Sequence, residues 1–167
     1  MQHSICGGHH MIKVDYLSPI GVIEISGTNQ AIHSILYTDQ KSPERLLNAK
    51  HPDIIKNCCE QLDEYFHGKR TEFSIPYITN GTSFQKDVWQ ALICIPYGKT
   101  ASYEDIAKLI RREKAVRAVG NANGKNKLNI IIPCHRIIGK NGKLTGYGGG
   151  VWRKKWLLEH EQSTRLQ

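Results

Sequence analysis

The sequence predicts an α+β protein made of two consecutive units, a small strand-rich α/β unit followed by a basic helix-turn-helix unit. Three observations carry that prediction. Residues 12–37 form three short runs rich in Val, Ile and Tyr, separated by turn residues. Residues 83–123 place apolar side chains at helical spacing in three successive segments. The charge changes sign between the two units. Residues 1–80 hold 7 Lys+Arg against 9 Asp+Glu, whereas residues 81–167 hold 16 against 6. Positive charge concentrated in one unit suits a polyanion-binding surface. A merely solvated surface gives the same count, so charge alone leaves both readings open.

In the first unit the strand runs are Ile12–Tyr16, Gly21–Ser26 and Ala31–Tyr37, with Ser18-Pro19 and Gly27-Thr28-Asn29 as turns. Pro52 to Phe66 aligns Ile54, Cys58, Leu62, Tyr65 and Phe66 on one helical face, and Gly68 follows as a stop. Thr71–Ile75 alternates as one more strand. No catalytic constellation is visible in this unit. Pro76 to Thr82 contains Pro, Asn and Gly where the charge balance turns, which places a boundary near residue 78. The expected organisation is a flexible tail over 1–10, a first domain over 11–78 and a second over 79–167.

In the second unit Ser83 is placed to cap a helix running to about Ile93. Ser102 opens Ser-Tyr-Glu-Asp, a capping-box-like start with Asp105 at the third position, for a helix over about Tyr103 to Ile110. A third helix, about Lys114 to Asn123, follows the tight basic turn Arg111-Arg112-Glu113. Two short helices joined by a brief turn predict a helix-turn-helix. The third helix is unusual as a reader of DNA. It offers Ala118, Gly120, Ala122 and Gly124, with Arg117 as its one long side chain. Small residues allow close backbone approach, which suits the narrow minor groove, and one Arg is then available to enter the base stack. The other reading is a tightly packed buried helix, against which the low helix propensity of Gly120 and Asn121 weighs.

Composition removes several classes. With 40% hydrophobic and 23% charged residues the chain has neither a disordered nor a fibrous composition. No run approaches the ~18 apolar residues of a membrane span, and the first eleven residues have no apolar core, so no secretory signal and no membrane association are expected. Five cysteines, an odd number, point to free thiols in a reducing compartment, the cytoplasm or, in a eukaryote, the nucleus. Cys6, His9 and His10 fall short of the four placed ligands of a structural metal site, so no metal is expected. No dinucleotide fingerprint or other cofactor motif is present.

Residues 130–138, Ile-Ile-Ile-Pro-Cys-His-Arg-Ile-Ile, concentrate the chemistry. Three β-branched residues predict a buried strand that Pro133 ends. Cys134 follows at once, beside an imidazole and a guanidinium that favour a thiolate. Neighbouring residues of a strand point to opposite faces, so His135 is expected to reach Cys134 through a water or a bent backbone. A core thiol is the competing reading of Cys134.

These residues carry a resemblance. From Phe84 to Glu161 the chain resembles the methylated-DNA–protein-cysteine methyltransferases, the O6-alkylguanine-DNA alkyltransferases. The shared motifs are Ile-Pro-Cys-His-Arg at 132–136, Ser-Tyr at 102–103, Arg-Ala-Val-Gly at 117–120, Gly-Tyr-Gly-Gly-Gly at 146–150 and Trp-Leu-Leu-Glu-His-Glu at 156–161. The pentapeptide around Cys134 is highly specific to this family. The first 80 residues resemble it in layout only.

The resemblance implies a small ribonuclease-H-like N-terminal domain followed by a winged-helix C-terminal domain. It implies transfer of an alkyl group from O6 of guanine, and from O4 of thymine, in double-stranded DNA irreversibly onto Cys134, by a monomer without cofactor. His135 acts through a water as the base, Glu161 orients it, and Asn126 supports the nearby turn. Tyr103 donates to the departing guanine and Arg117 takes the vacated place in the duplex. Ala118, Gly120, Ala122, Gly124, Tyr103 and Arg136 are implied to contact DNA, and Tyr147, Gly148, Gly149 and Val151 to form the base pocket. Gly148 stands where some members carry a Ser that contacts O6, which leaves that contact to a backbone amide. No zinc-binding Cys/His quartet is recognisable in the first domain. The alternatives are a non-enzymatic winged-helix damage sensor or regulator, in which Cys134 only packs, and a thiol hydrolase using Cys134 and His135. The basic unit with its small-residue helix speaks against a hydrolase.

Overall fold

The computed structural model describes residues 10–165. Of the expected N-terminal tail, all but His10 lies outside the described residues. Strands β1 (Ile12–Ser18), β2 (Gly21–Gly27) and β3 (Ile32–Tyr37) form an antiparallel sheet in that order. The register pairs Tyr16 with Ile23, Val14 with Ile25 and Ile25 with Ile35, which collects β-branched residues on one face. That face receives helix α1 (Asp53–Phe66), where Phe66 stacks on Tyr16 at 6.1 Å between ring centroids. Val14, Ile23, Ile25, Ile35, Ile55 and Leu62 are all fully buried there, each stabilising by roughly 1.5–3 kcal/mol. On the other face Arg45 spans the cross-strand pair Asp15 and Glu24 at 2.6 and 2.8 Å, which pins the loop after β3 to the sheet.

Thr71–Ile75 is not a strand. Only Tyr77 bridges to β3, at Ile32. The outer edge of β3 is shared between two segments and gives each one contact. Ile32 exchanges backbone bonds with Pro76 and Ile78, while Ile35 exchanges them with Lys127 and Asn129. The second of these segments belongs to the C-terminal unit, so β3 is where the two units meet. The buried apolar cluster runs without a break from the sheet through Leu128, Ile130 and Ile132 to Leu92 and Leu157.

The C-terminal unit holds α2 (Ser83–Ile93), β4 (Ala101–Ser102), α3 (Tyr103–Leu109), α4 (Val116–Gly124), β5 (Ile137–Ile138) and α5 (Val151–Thr164). Thr82, not Ser83, caps α2, in a reciprocal box with Gln85. Ser102 and Asp105 form the expected capping box of α3. The expected strand Ile130–Ile132 is a buried turn in which Ile130 has φ of 73°. The amide of Asn126 takes over the hydrogen bonds a ladder would have made, donating to Ile132 O at 2.9 Å and accepting from Leu128 N at 2.9 Å. β4 pairs in parallel with β5, Ala101 opposite Ile137 and Ser102 opposite Ile138. This two-residue sheet fixes the start of α3 against the chain just after Cys134. No helix among the described residues is long and apolar enough to cross a membrane.

Candidate active site

Cys134, His135 and Arg136 form one 3-10 turn, so their side chains fan out around an axis and do not alternate across a sheet. All three are buried. Cys134 lies in a cavity of about 320 Å³ whose walls include Asn123, Asn126, Asn129, Tyr147 and Gly148. Leu36 and Tyr37 of β3 complete that wall from the N-terminal unit. The thiol donates to Asn129 Oδ1 at 3.6 Å. The Asn129 amide is itself held by Ile35 O at 2.9 Å.

His135 Nε2 lies 2.9 Å from Glu161 Oε1. Burial would raise the Glu161 carboxyl, but His135 and the guanidinium of Arg136 outweigh it and hold it at about 2. An ionised carboxylate only accepts, so Nε2 carries the proton and Nδ1 presents its lone pair. Burial lowers His135 and keeps the imidazole neutral against the opposing pull of Glu161. Nδ1 is buried with no protein hydrogen-bond partner, a free basic lone pair one residue from the thiol.

The expected resting thiolate is not what this site holds. Burial pushes the Cys134 thiol up to about 11, against the opposing influence of the Asn126 amide and the Lys154 ammonium. Arg136, expected on the DNA-facing surface, is turned inward. It grips Glu161 with Nε at 3.0 Å and Nη2 at 2.8 Å and donates to Ile95 O at 2.7 Å. Its charge is therefore spent on the carboxylate and not on the thiol or on phosphate.

On α4 the residues divide by face. Arg117, Ala118, Asn121 and Gly124 are exposed, whereas Val119, Ala122 and Asn123 are buried. Ala122 was expected on the same outward face as Ala118. It lies inside because its carbonyl accepts Trp89 Nε1 of α2 at 2.9 Å. Gly120 is half-buried against the Tyr103 ring, where an added Cβ would rest 3.7 Å from the ring carbons. Tyr103 also bonds Thr145 at 3.0 Å, so the phenol stands between α4 and the glycine-rich loop.

That loop is tied down at several points. Lys154 Nζ donates to Thr145 O at 3.0 Å, Arg153 Nη1 to Gly149 O at 2.8 Å, and the Tyr147 and Tyr37 hydroxyls meet at 2.8 Å. Tyr147 and Gly148 line the cavity. Gly149 is buried under the Tyr37 ring, where a Cβ would collide. Val151 is 45% exposed at the start of α5 and lies outside the cavity wall, which corrects its expected place in the base pocket.

Sequence reasoning missed four residues here. Lys154 is fully buried, and burial lowers it to about 8 while Cys134 opposes that fall. Its signal was available: Lys154, Leu157 and Glu161 share the buried face of α5 at helical spacing. Tyr65, whose hydroxyl donates to Glu161 Oε1 at 2.9 Å, had none, being 96 residues away in sequence. Tyr37, 110 residues from Tyr147, and Asn129, 94 residues from Ile35, likewise carry no local pattern.

Comparison with known proteins agrees with this layout. The ribonuclease-like domain of 6-O-methylguanine DNA methyltransferase matches residues 11–77, and the DNA binding domain of the same family matches residues 83–163. A methylated-DNA–protein-cysteine methyltransferase of Mycobacterium bovis is 46% identical over 147 residues, covering 87% of this chain and 89% of its own. One from Methanosarcina mazei is 41% identical, covering 93% and 97%. The Mycobacterium tuberculosis OGT, solved in complex with DNA, superimposes with a TM-score of 0.80 at 44% identity, covering 93% of this chain and 94% of its own. The chain belongs to the 6-O-methylguanine DNA methyltransferase family, with a ribonuclease-like N-terminal domain and a helix-turn-helix DNA-binding C-terminal domain.

Proposed function

We propose that this protein repairs double-stranded DNA by moving the alkyl group of O6-alkylguanine, and of O4-alkylthymine, onto Cys134 in a single irreversible step. The observation that carries the reading is the Cys134 thiol on a cavity wall, one residue from a neutral His135 whose other nitrogen is held by ionised Glu161. A base inside a duplex cannot reach a buried thiol, so the damaged nucleotide is turned out through the minor groove into the cavity. Arg117, exposed on α4, takes the vacated place and offsets part of the unstacking cost. Ala118, Gly120 and Gly124 keep the rest of that face low.

The thiol proton passes through one water to His135 Nδ1, and the imidazolium is stabilised by Glu161. The sulfur attacks the alkyl carbon, the S–C bond forms and the C–O6 bond breaks. The electron pair leaves on the base, which takes a proton from Tyr103; the phenol recovers one from solvent as the imidazolium releases its own. Lys154 opposes the cost of forming a thiolate in a buried site. Every group named comes from one chain, acting as a monomer in the cytoplasm, or in the nucleus of a eukaryote. No cofactor has a step to perform, because the product is a thioether with no carbonyl for water to attack.

Titration with a molar excess of methylated duplex tests the reading. Transfer should plateau at one methyl per Cys134, seen as the mass of one methyl on that residue. A linear steady state would refute single turnover, and no methyl on Cys134 would refute the nucleophile. Arg117→Ala should slow reaction with duplex roughly 10–100-fold while changing reaction with free O6-methylguanine less than about twofold, because the free base needs no unstacking. Equal losses on both substrates would place Arg117 in support of the fold.

A further inference from the structure

Glu161 Oε1 accepts from three residues: His135 Nε2 at 2.9 Å, Arg136 through Nη2 at 2.8 Å and Nε at 3.2 Å, and the Tyr65 hydroxyl at 2.9 Å. The first two come from the active-site turn. The third comes from the last turn of α1 in the N-terminal domain, and among the described residues it is that domain's one hydrogen bond to the carboxylate. We infer that Tyr65 is a positioning residue of the transfer reaction, its hydroxyl sharing Glu161 Oε1 with His135 and thereby setting how strongly the carboxylate draws a proton onto the imidazole. The inference rests on the function proposed above.

The geometry leaves the hydroxyl no other use. Tyr65 is fully buried, so water is no competing partner. Its ring is clamped at 5.3 Å from Phe66, 5.7 Å from Phe73, 5.3 Å from His160 and 6.1 Å from Tyr97. His160, the residue before Glu161, also bonds the Tyr65 backbone carbonyl at 2.7 Å, so the end of α1 and this part of α5 keep one spacing. Burial and the adjacent Glu161 both raise the phenol, which stays a donor at every working pH. A carboxylate oxygen that accepts a third, neutral donor spreads its charge over more partners. Less of it then acts on His135, and the imidazole gives up its proton at lower pH.

The other charged and titratable groups around the pair are Arg136 and Cys134 in the same turn, Lys154 and His160 on α5, and Tyr97 in the chain after α2. Arg136 and Lys154 push His135 toward the neutral form, as Tyr65 does by sharing Oε1. None of them is altered by removing one phenolic oxygen from Tyr65.

The test compares wild type with Tyr65→Phe, which keeps the clamped ring and removes only the hydroxyl. Single-turnover methyl transfer from a methylated duplex is followed from pH 5 to 9, and the imidazole of His135 is titrated directly by nitrogen-15 NMR. The acid limb of the rate profile and the His135 titration should both move up by roughly half to one pH unit, a three- to tenfold loss of rate at the acid foot with a near-wild-type rate at high pH. A rate lowered equally at all pH values, or an unmoved His135 titration, would overturn the inference and leave Tyr65 a packing residue. If Tyr65→Phe unfolds in part, the His135 titration is read on its folded fraction at lower temperature, and an undisplaced one there counts against the inference equally. Wild type that places no methyl on Cys134 would defeat the proposed function, while the two His135 titrations would still decide the role of Tyr65.

Discussion

Cys134→Ser should abolish alkyl transfer while leaving DNA binding intact. The serine hydroxyl fits the space of the thiol, and the cavity wall, Asn129 and the exposed face of α4 do not depend on sulfur. What changes is the nucleophile. Burial already pushes the Cys134 thiol up to about 11, so reaction depends on His135 drawing the proton away as the sulfur attacks. An alcohol holds its proton far more tightly, and a neutral buried imidazole is too weak a base to take it. The rate should fall at least ~10³-fold. Gel-shift and methyl-transfer assays on one preparation check both halves of the expectation. Undiminished transfer would remove Cys134 from its role, and lost binding would show that the thiol also supports the duplex-binding surface.

Glu161→Gln should damage both the reaction and the fold. The amide keeps the shape of the carboxylate but leaves the guanidinium of Arg136 buried without a counter-charge. It also turns an NH2 group toward donors that had faced an acceptor. Removing one partner of a buried pair costs about 3–5 kcal/mol. The imidazolium formed on His135 loses its stabilising carboxylate, so transfer should slow by ~10²-fold or more even in the folded fraction. The pH dependence of stability has a definite sign. Glu161 is held at about 2 in the fold, below its ordinary carboxylate value. Its contribution is fully present above that ordinary value, near pH 4.5, and is lost as pH falls toward 2. Wild type should therefore lose roughly 3 kcal/mol across that window that the Gln variant does not. Urea unfolding at pH 7 and between pH 4.5 and 2 measures both. Parallel stability curves in acid would show that Glu161 is not ionised in the fold.

The two variants act on different links of one chain of causes. In the proposed reaction Cys134 supplies the reacting atom, and Glu161 supplies the charge that lets a buried imidazole hold a proton for an instant. The Arg136 guanidinium is turned to that second link, on Glu161, although it stands in the basic half of the sequence. Its neighbours explain why. A buried ionised carboxylate must be paired, and the guanidinium two residues beyond Cys134 is the cation whose planar fork fits it.

Much of this protein is legible in its residues alone. The three strands, α1, α2 and the capped α3 follow from local patterns, because their apolar spacing and turn residues act within a few positions. Cys134, His135 and Glu161 were readable as a set because the motifs around them are specific. The errors have one physical source. Ile130–Ile132 reads as a strand because it is apolar, yet the Asn126 amide and the shared edge of β3 make it a turn. Ala122 and Arg136 read as DNA contacts because they are small or basic, yet Trp89 and Glu161 draw them inside. Burial and pairing depend on partners tens of residues distant, which no window of sequence contains. The neutral resting thiol, the ionised Glu161, the buried Lys154 and the Tyr65 hydroxyl on the active-site carboxylate were therefore decided only by tertiary structure. Each is set by which groups lie within about 3–4 Å in a site of low dielectric, where a charge is worth several times what it is in water.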